Sequence, residues 1–340
     1  MVKCRLAGGT TLRKAKEVNG GRAARGETVK KTRILNYLIR CVSYLLILLP
    51  AVLAWLYVRS FGVSVVFGDA WSLGRFFDWW STGALNVWDF FRQHNEHRMF
   101  FPKGVEFLLA GATKYDNVVE MYLIQVCLLV TLVILFLAFR DTVRASAWPL
   151  LFVPISLLVF SFRQYENMLW GFQISFAFTQ TFGVLTLFLL YLLERNRFKR
   201  SAFTAALGSA TVASFSTAQG LFVWPAGLLQ LLLGSLERPT KKVLVALWGL
   251  VGLGEWIVYF VGYKSKDDQS LLYVFSYPVV GIEYFLNRLG SSLFWQENSA
   301  FVGGLFLACL ALASLVLSIR MGSWGSIRFG YLFCSMLFSC

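Results

Sequence analysis

The sequence predicts an all-α polytopic membrane protein with about eight to nine transmembrane helices. Apolar residues make up 57% of the 340 residues and charged residues only 15%, compared with about 25% charged residues in soluble domains. Apolar runs of about 20 residues, the length that crosses a bilayer, recur along the chain. This pattern excludes a soluble enzyme, a nucleic-acid-binding protein and a disordered protein, although the formal net charge is +14.

The N-terminal segment differs from the rest of the chain. Residues 1–36 are polar and basic and show no core pattern, so we predict a disordered cytoplasmic tail. The remainder, 37–340, is predicted to form one transmembrane domain. Its first span, at about 37–58, is too long for the apolar region of a signal peptide.

Seven further apolar runs predict the other spans. The run at 147–161 is short and contains two prolines. The final run, 329–340, has 12 residues, or about 18 Å of helix, so we expect the last span to be truncated. The predicted spans lie at about 119–139, 147–161, 168–193, 202–216, 220–236, 243–262 and 299–319.

The distribution of charge predicts the orientation of these spans. With the N-terminus in the cytoplasm, 21 of the 32 Lys and Arg residues lie on the inner side, and 12 of the 18 Asp and Glu residues lie on the outer side. Cytoplasmic loops of membrane proteins carry such an excess of Lys and Arg. The basic charge therefore indicates topology, and the expected partner is the lipid bilayer rather than nucleic acid.

The outer side contains the residues suited to chemistry. It has two long loops, an outer loop at 59–118 between the first two spans and a second loop at 263–298, and both histidines lie in the first. Between residues 71 and 93, Trp and Phe alternate with charged residues, which predicts helices lying in the membrane interface. Within them, Asp78 and Asp89 are interpreted as solvated side chains.

Asp69 is the first carboxylate of the outer loop. It lies close to the predicted membrane surface, where a low dielectric would raise its pKa and suit it to act as a general base on a hydroxyl. The alternative is an N-cap for the aromatic segment, because Asp favours that position.

A run of five polar residues, His94-Asn95-Glu96-His97-Arg98, lies beside an apolar stretch. If the run is helical, His94 and His97 share a face with Arg98. Three hypotheses stay open: substrate or phosphate contact through the histidines and Arg98, a hydrogen-bonded structural corner, or a divalent metal held by His94 and His97 with Glu96.

A second outer segment, 161–173, joins two spans. Its polar side chains either contact substrate or lock the corner through a pair between Arg163 and Glu166. Gln173 would lie inside the membrane, where a polar side chain usually faces the bundle interior. The substrate-binding candidates of this segment are Arg163, Glu166, Asn167 and Gln173.

Three more features complete the set of candidates. Gln219 lies in a polar turn within 216–225, Glu255 is an intramembrane carboxylate and therefore a functional candidate, and a polar motif occupies 295–298. All four polar motifs emerge on the predicted outer side, whereas independent structural corners would occur on both sides. This one-sidedness predicts a site at the outer boundary between membrane and water.

The layout of residues 37–320 resembles the GT-C class of polytopic glycosyltransferases. It has a basic N-terminus, one span, and then a long outer loop with an early Asp and interfacial helices. The paired-acid motif that is frequent in this class is absent. The runs that are similar to bacterial multi-pass proteins of the same layout are His94 to Pro102, Arg163 to Gln173 and Ser216 to Pro225.

The resemblance implies an inverting transfer of a sugar from a polyprenyl-phosphate donor to an acceptor outside the cytoplasm, in a bacterial inner membrane. Asp69 would be the base, with Glu96 as a second candidate catalytic residue, and Arg98 or Arg163 would stabilise the leaving phosphate. Two other functions stay open. A transporter or flippase would need ionisable residues in the middle of several spans, where the sequence offers mainly Glu255 and Gln173, and a non-catalytic membrane assembly protein would need none.

Overall fold

The computed structural model describes residues 8–143, 148–195, 199–234, 236–264, 273–291 and 293–320. The described chain contains α-helices and short 3₁₀ turns but no β-strand, which confirms the all-α class. The run 329–340 lies outside the described residues. The helices are α1 (Gly8–Phe61), α2 (Gly74–Ser81), α3 (Phe100–Thr113), α4 (Asn117–Thr142), α5 (Trp148–Val159), α6 (Tyr165–Leu169), α7 (Ile174–Glu194), α8 (Lys199–Ser214), α9 (Val223–Leu233), α10 (Arg238–Phe260), α11 (Tyr273–Ser276), α12 (Pro278–Gly290) and α13 (Glu297–Arg320).

In the part of the chain that the structure describes, four helical stretches are long and apolar enough to cross a membrane, which supports a membrane protein. The finer count of eight to nine spans stays a prediction, since α13 has 24 residues whereas several other apolar runs form shorter helices. α5 has 12 residues and α8 has 16, compared with about 20 for a full crossing. The orientation stays a prediction. The four stretches are Arg33–Phe61, Asn117–Asp141, Gly171–Glu194 and Arg238–Phe260.

Local interruptions explain the short helices. α5 stops at Val159, and the side chain of Ser161 then accepts a hydrogen bond from the backbone N–H of Arg163, which starts a 3₁₀ turn. The run at 220–236 begins as a 3₁₀ turn at Ala218–Phe222, and only Val223–Leu233 is α-helical. Apolar composition alone therefore overestimated the lengths of these helices.

α1 begins at Gly8 and so passes through most of the basic N-terminal segment, where the sequence predicted no regular structure. Lys, Arg and Ala, which are frequent there, have good helix propensity. Disorder of residues 1–36 in solution stays a prediction.

α7 lies at the centre of the bundle, where it packs against α4, α8 and α9. One apolar cluster joins α1, α4, α5 and α7 around the buried Phe152 and Leu187. A second joins α7 to α10 around Trp224 and Trp248. The carboxylate of Glu255 accepts hydrogen bonds from Thr211 and from the indole of Trp224 inside this second cluster, so it ties α8, α9 and α10 together.

The outer loop folds over one end of the bundle. The 3₁₀ turn Gly68–Leu73, named the Asp69 turn below, leads into α2, and a second 3₁₀ turn leads to α3. Exposed tryptophans of this loop fit the predicted interfacial position. Asp78 is exposed as expected. Asp89 is buried, contrary to prediction, because it forms a capping box with Asn86 and an ion pair with Arg92 at 2.8 Å.

α12 and α13 form a helical hairpin that packs mainly on itself. Small residues bring the two backbones close together. A side chain at Gly290 would collide with the carbonyl of Ala300, and one at Gly304 would collide with the carbonyl of Leu286. Small residues allow this close approach of helices in membranes.

Candidate functional site

The polar run at 94–98 forms a tight hairpin turn rather than a helix. The backbone N–H of His94 donates to the carbonyl of His97 at 2.8 Å, and the reverse bond measures 2.9 Å. Asn95 has φ 50°, a left-handed conformation that Asn tolerates better than most residues. The helical arrangement considered for His94, His97 and Arg98 is therefore wrong, because the turn chemistry of Asn95 prevails.

The hairpin brings His94 to Asp69. His94 Nε2 lies 3.4 Å from Asp69 Oδ2, and the two side chains are 18% and 49% exposed, respectively. Asp69 does not cap the turn, since the N-cap residue is Phe67. The prediction that Asp69 lies in a low-dielectric zone at the membrane surface stays a prediction. The result is an Asp–His pair in which the carboxylate is half-exposed and the Nε2 atom of His94 is buried.

The two histidine rings connect the hairpin to the second and third polar motifs. The ring of His94 packs against Phe172, and the ring of His97 packs edge-on against Phe176. His97 Nδ1 accepts a hydrogen bond from the backbone N–H of Ala218 at 3.2 Å. Burial lowers the pKa of His97, against the opposing charge of Glu96. His97 is thus a neutral anchor that joins three distant parts of the chain.

Arg98 closes the outer loop onto α10. It is buried, and its guanidinium donates to the carbonyls of Phe91, Tyr259 and Val261. α10 ends at Phe260, so two of these carbonyls belong to its last turn, which has no helical donors. This geometry fits the structural-corner hypothesis for Arg98 better than contact with a phosphate.

Arg163 joins the second motif to the fourth. Its guanidinium donates to the carbonyls of Ser291 and Phe294 and lies 4.3 Å from the centre of the Trp295 ring. Arg163 therefore holds the α12–α13 hairpin. Glu166, the expected partner of Arg163, accepts instead from the hydroxyl of Tyr165 at 3.0 Å.

The remaining candidates lie around the Asp69–His94 pair, and no hydrogen bond in the described part of the chain connects their side chains to it. Glu96 is exposed at the tip of the hairpin, and only its carbonyl is bound, by the hydroxyl of Tyr259. Gln219 is exposed beside Ala218, and Asn167 is half-buried. Gln173 has a buried Oε1 atom without a hydrogen-bond partner. Their roles in substrate binding stay predictions.

A metal centre has no ligand set in the part of the chain that the structure describes. No three His, Cys, Asp or Glu side chains are grouped there so that they could hold a metal ion. The divalent metal suggested by His94 and His97 therefore lacks a third ligand of these types within the described residues.

Sequence reasoning missed a buried group of ionisable side chains beneath the Asp69 turn. Lys103, Glu106 and Glu120 are each 4% exposed. Burial lowers the pKa of Lys103 to about 8 and raises that of Glu106 well above its ordinary value. The sequence signal for this group was the spacing of Lys103 and Glu106, which lie three residues apart and therefore on one face of a helix. It was missed because the segment was predicted to be a loop.

Comparisons of this chain with protein-family models, with curated proteins and with solved structures find no match. The function is therefore argued from the site.

Proposed function

We propose that this chain is a membrane glycosyltransferase that moves a sugar from a polyprenyl-phosphate donor to an acceptor hydroxyl on the non-cytoplasmic face, with Asp69 as general base. The observation that supports the proposal most directly is the Asp69–His94 pair, in which the Nε2 atom of His94 lies 3.4 Å from the half-exposed carboxylate of Asp69. Its position at the end of the bundle with the aromatic outer loop suits a donor whose phosphate lies at the membrane surface.

In this mechanism, Asp69 accepts the proton of the acceptor hydroxyl as the oxygen attacks the anomeric carbon. The bond between that carbon and the phosphate oxygen breaks, and the polyprenyl phosphate leaves with the electron pair. His94 orients the carboxylate, and the backbone bonds of the hairpin hold His94. A positioned base of this kind contributes about 10²–10⁴-fold to a rate.

The leaving phosphate needs a cation, and the bonds of Arg98 and Arg163 to backbone carbonyls make both poor choices. We propose Arg75 instead, which is exposed on α2, six residues beyond Asp69. Its guanidinium carbon lies 5.9 Å from the centre of the Trp79 ring, and that of Arg92 lies 4.8 Å from the same ring centre.

The test is Asp69→Asn, assayed by transfer of labelled hexose from polyprenyl phosphate to added acceptors by the purified chain in vesicles. We expect the rate to fall about 10²–10⁴-fold, with unchanged membrane insertion. Asp78→Asn is the matched control, because Asp78 is an exposed carboxylate on α2. Transfer at the normal rate by the Asp69 variant would refute the assignment.

The other two functions stay predictions. A transporter would use Glu255 as an intramembrane carboxylate, but its oxygens are hydrogen-bonded to Thr211 and Trp224 within the bundle. That geometry favours a structural role for Glu255.

A further inference from the structure

Two buried carboxylates lie beneath the Asp69 turn and play no part in the proposed transfer. Glu106 on α3 and Glu120 on α4 are each 4% exposed, and the negative charge of Glu120 opposes ionisation of Glu106. Among the described residues, the buried Oε1 atom of Glu106 has no hydrogen-bond partner. An ionised carboxylate with such an unpartnered oxygen in a buried place is strongly unfavourable.

The charges that face this pair do not neutralise it fully. Lys103 lies one helical turn before Glu106, and its ammonium donates to the carbonyl of Arg92 at 3.0 Å. Asp116 adds a further negative charge near Glu120. The other titratable groups nearby are the phenol of Tyr115 and the guanidinium of Arg98. The two carboxylates and the ammonium of Lys103 have a net charge of −1. The positive charge of Arg98, which lies near Lys103, and the negative charge of Asp116, which lies near Glu120, offset each other, so the wider group also has a net charge of −1.

The species that supplies the missing positive charge must be small. Gly171 packs directly on Glu120, since any side chain there would collide with Glu120 Oε2. The segment Gly171–Gln173 contributes no titratable side chain. Asn117, one turn before Glu120 on α4, has a buried Oδ1 that also lacks a partner. An acid proton would therefore find an acceptor oxygen on the same helix face, whereas a hydrated ion is excluded on the Gly171 side.

We propose that Glu106 and Glu120 form a proton-binding site that keeps one proton at neutral pH, and that this proton holds the Asp69 turn in place. The connection between the two is Tyr115, which lies between α3 and α4. Its hydroxyl donates to the carbonyl of Ala70, next to Asp69, at 2.7 Å. Both carboxylates also raise the pKa of Tyr115, in addition to its burial. The effect on Asp69 rests on the proposed function, whereas the proton site itself does not.

The proton is tested by infrared spectroscopy of the full chain in lipid nanodiscs, through the carbonyl stretch of a protonated carboxyl group. We expect the band at pH 7 to lose one carboxyl group in the double variant E106Q/E120Q and to stay unchanged in E283Q. Glu283 is an exposed glutamate on α12, and Gln matches the shape of a protonated carboxyl. Equal bands in the wild type and the double variant would overturn the proposal.

The coupling is tested by hydrogen exchange of the amides in 66–74 between pH 6.5 and 7.5, below the pKa of about 8 for Lys103, and corrected for the intrinsic pH dependence of exchange. If local opening of this segment releases one proton, the equilibrium constant for opening rises about tenfold per pH unit. We expect this rise in the wild type but not in E106Q/E120Q or in Tyr115→Phe. A pH-independent opening constant in the wild type would refute the coupling. Neither readout uses transfer activity, so failure of the proposed function is recognised separately.

Discussion

Replacing Arg98 with Ala separates its role in stability from a role in substrate binding. The substitution removes the guanidinium that donates to three backbone carbonyls, with Nε–O 2.6 Å to Tyr259, Nη1–O 3.0 Å to Phe91 and Nη2–O 2.5 Å to Val261. It leaves the last carbonyls of α10 without donors and detaches the outer loop from that helix.

The size of the effect follows from the burial of each bond. A hydrogen bond with a charged partner contributes about 1.5–3 kcal/mol. Only the bond to Tyr259 is fully buried, whereas the carbonyls of Phe91 and Val261 are partly buried and can regain water. We therefore expect the free energy of unfolding to fall by about 3–5 kcal/mol. Arg98→Lys keeps the charge but not the several N–H donors of the guanidinium, so the fall in the free energy of unfolding should be smaller than for Arg98→Ala.

The measurement is reversible unfolding of the purified chain in mixed micelles, followed by tryptophan fluorescence. Arg75→Ala is the matched control, because Arg75 is exposed, and surface changes usually stay within about 0.5 kcal/mol. If Arg98→Ala unfolds like the wild type, the guanidinium does not support α10 in this way. Phosphate binding, as predicted from the sequence, would then be the better interpretation of Arg98.

Three further predictions concern other parts of the chain. Arg163→Ala removes the bonds that hold the α12–α13 hairpin, so protease should cleave near 291–295 several-fold faster than in the wild type, and an unchanged cleavage rate would argue against this attachment. Lys114 has φ 57°, so Lys114→Gly should raise the free energy of unfolding by up to about 1 kcal/mol, and a loss of stability would contradict the left-handed conformation. Glu106 has a raised pKa in the folded state. The folded state therefore binds more protons than the unfolded state above pH 4.5, and stability falls as the pH rises towards the folded pKa. Between pH 6.5 and 7.5, below the pKa of about 8 for Lys103, unfolding measurements should show this fall in the wild type and a smaller one in E106Q; parallel curves would exclude Glu106 as the source.

Composition and apolar period predicted the membrane class and the positions of the main helices, because lipid requires long apolar segments. The lengths of the helices were overestimated at 147–161 and 220–236. Serine capping and a 3₁₀ start shorten the helices there, and apolar counts do not register either feature.

The site was predicted in part. The sequence predicted that polar motifs would share one end of the bundle, and the structure joins His94 to Asp69 and His97 to Ala218. The assignment of Arg98 depended on Tyr259, which lies 161 residues away in the chain, and no local pattern reveals such a partner. Lys103 and Glu106 were missed because their helix lay within a segment predicted to be a loop.

The outer loop also has an optical consequence. Trp71, Trp80 and Trp88 are 68%, 64% and 72% exposed, and they lie in the Asp69 turn and the two elements that follow it in the outer loop. Bromine atoms placed at known depths along lipid chains quench indole emission on contact. The quenching of these three rings therefore reports their depth in the bilayer. The difference in emission between the wild type and a variant with Phe at all three positions isolates their signal, which gives the distance of the Asp69 turn from the bilayer centre.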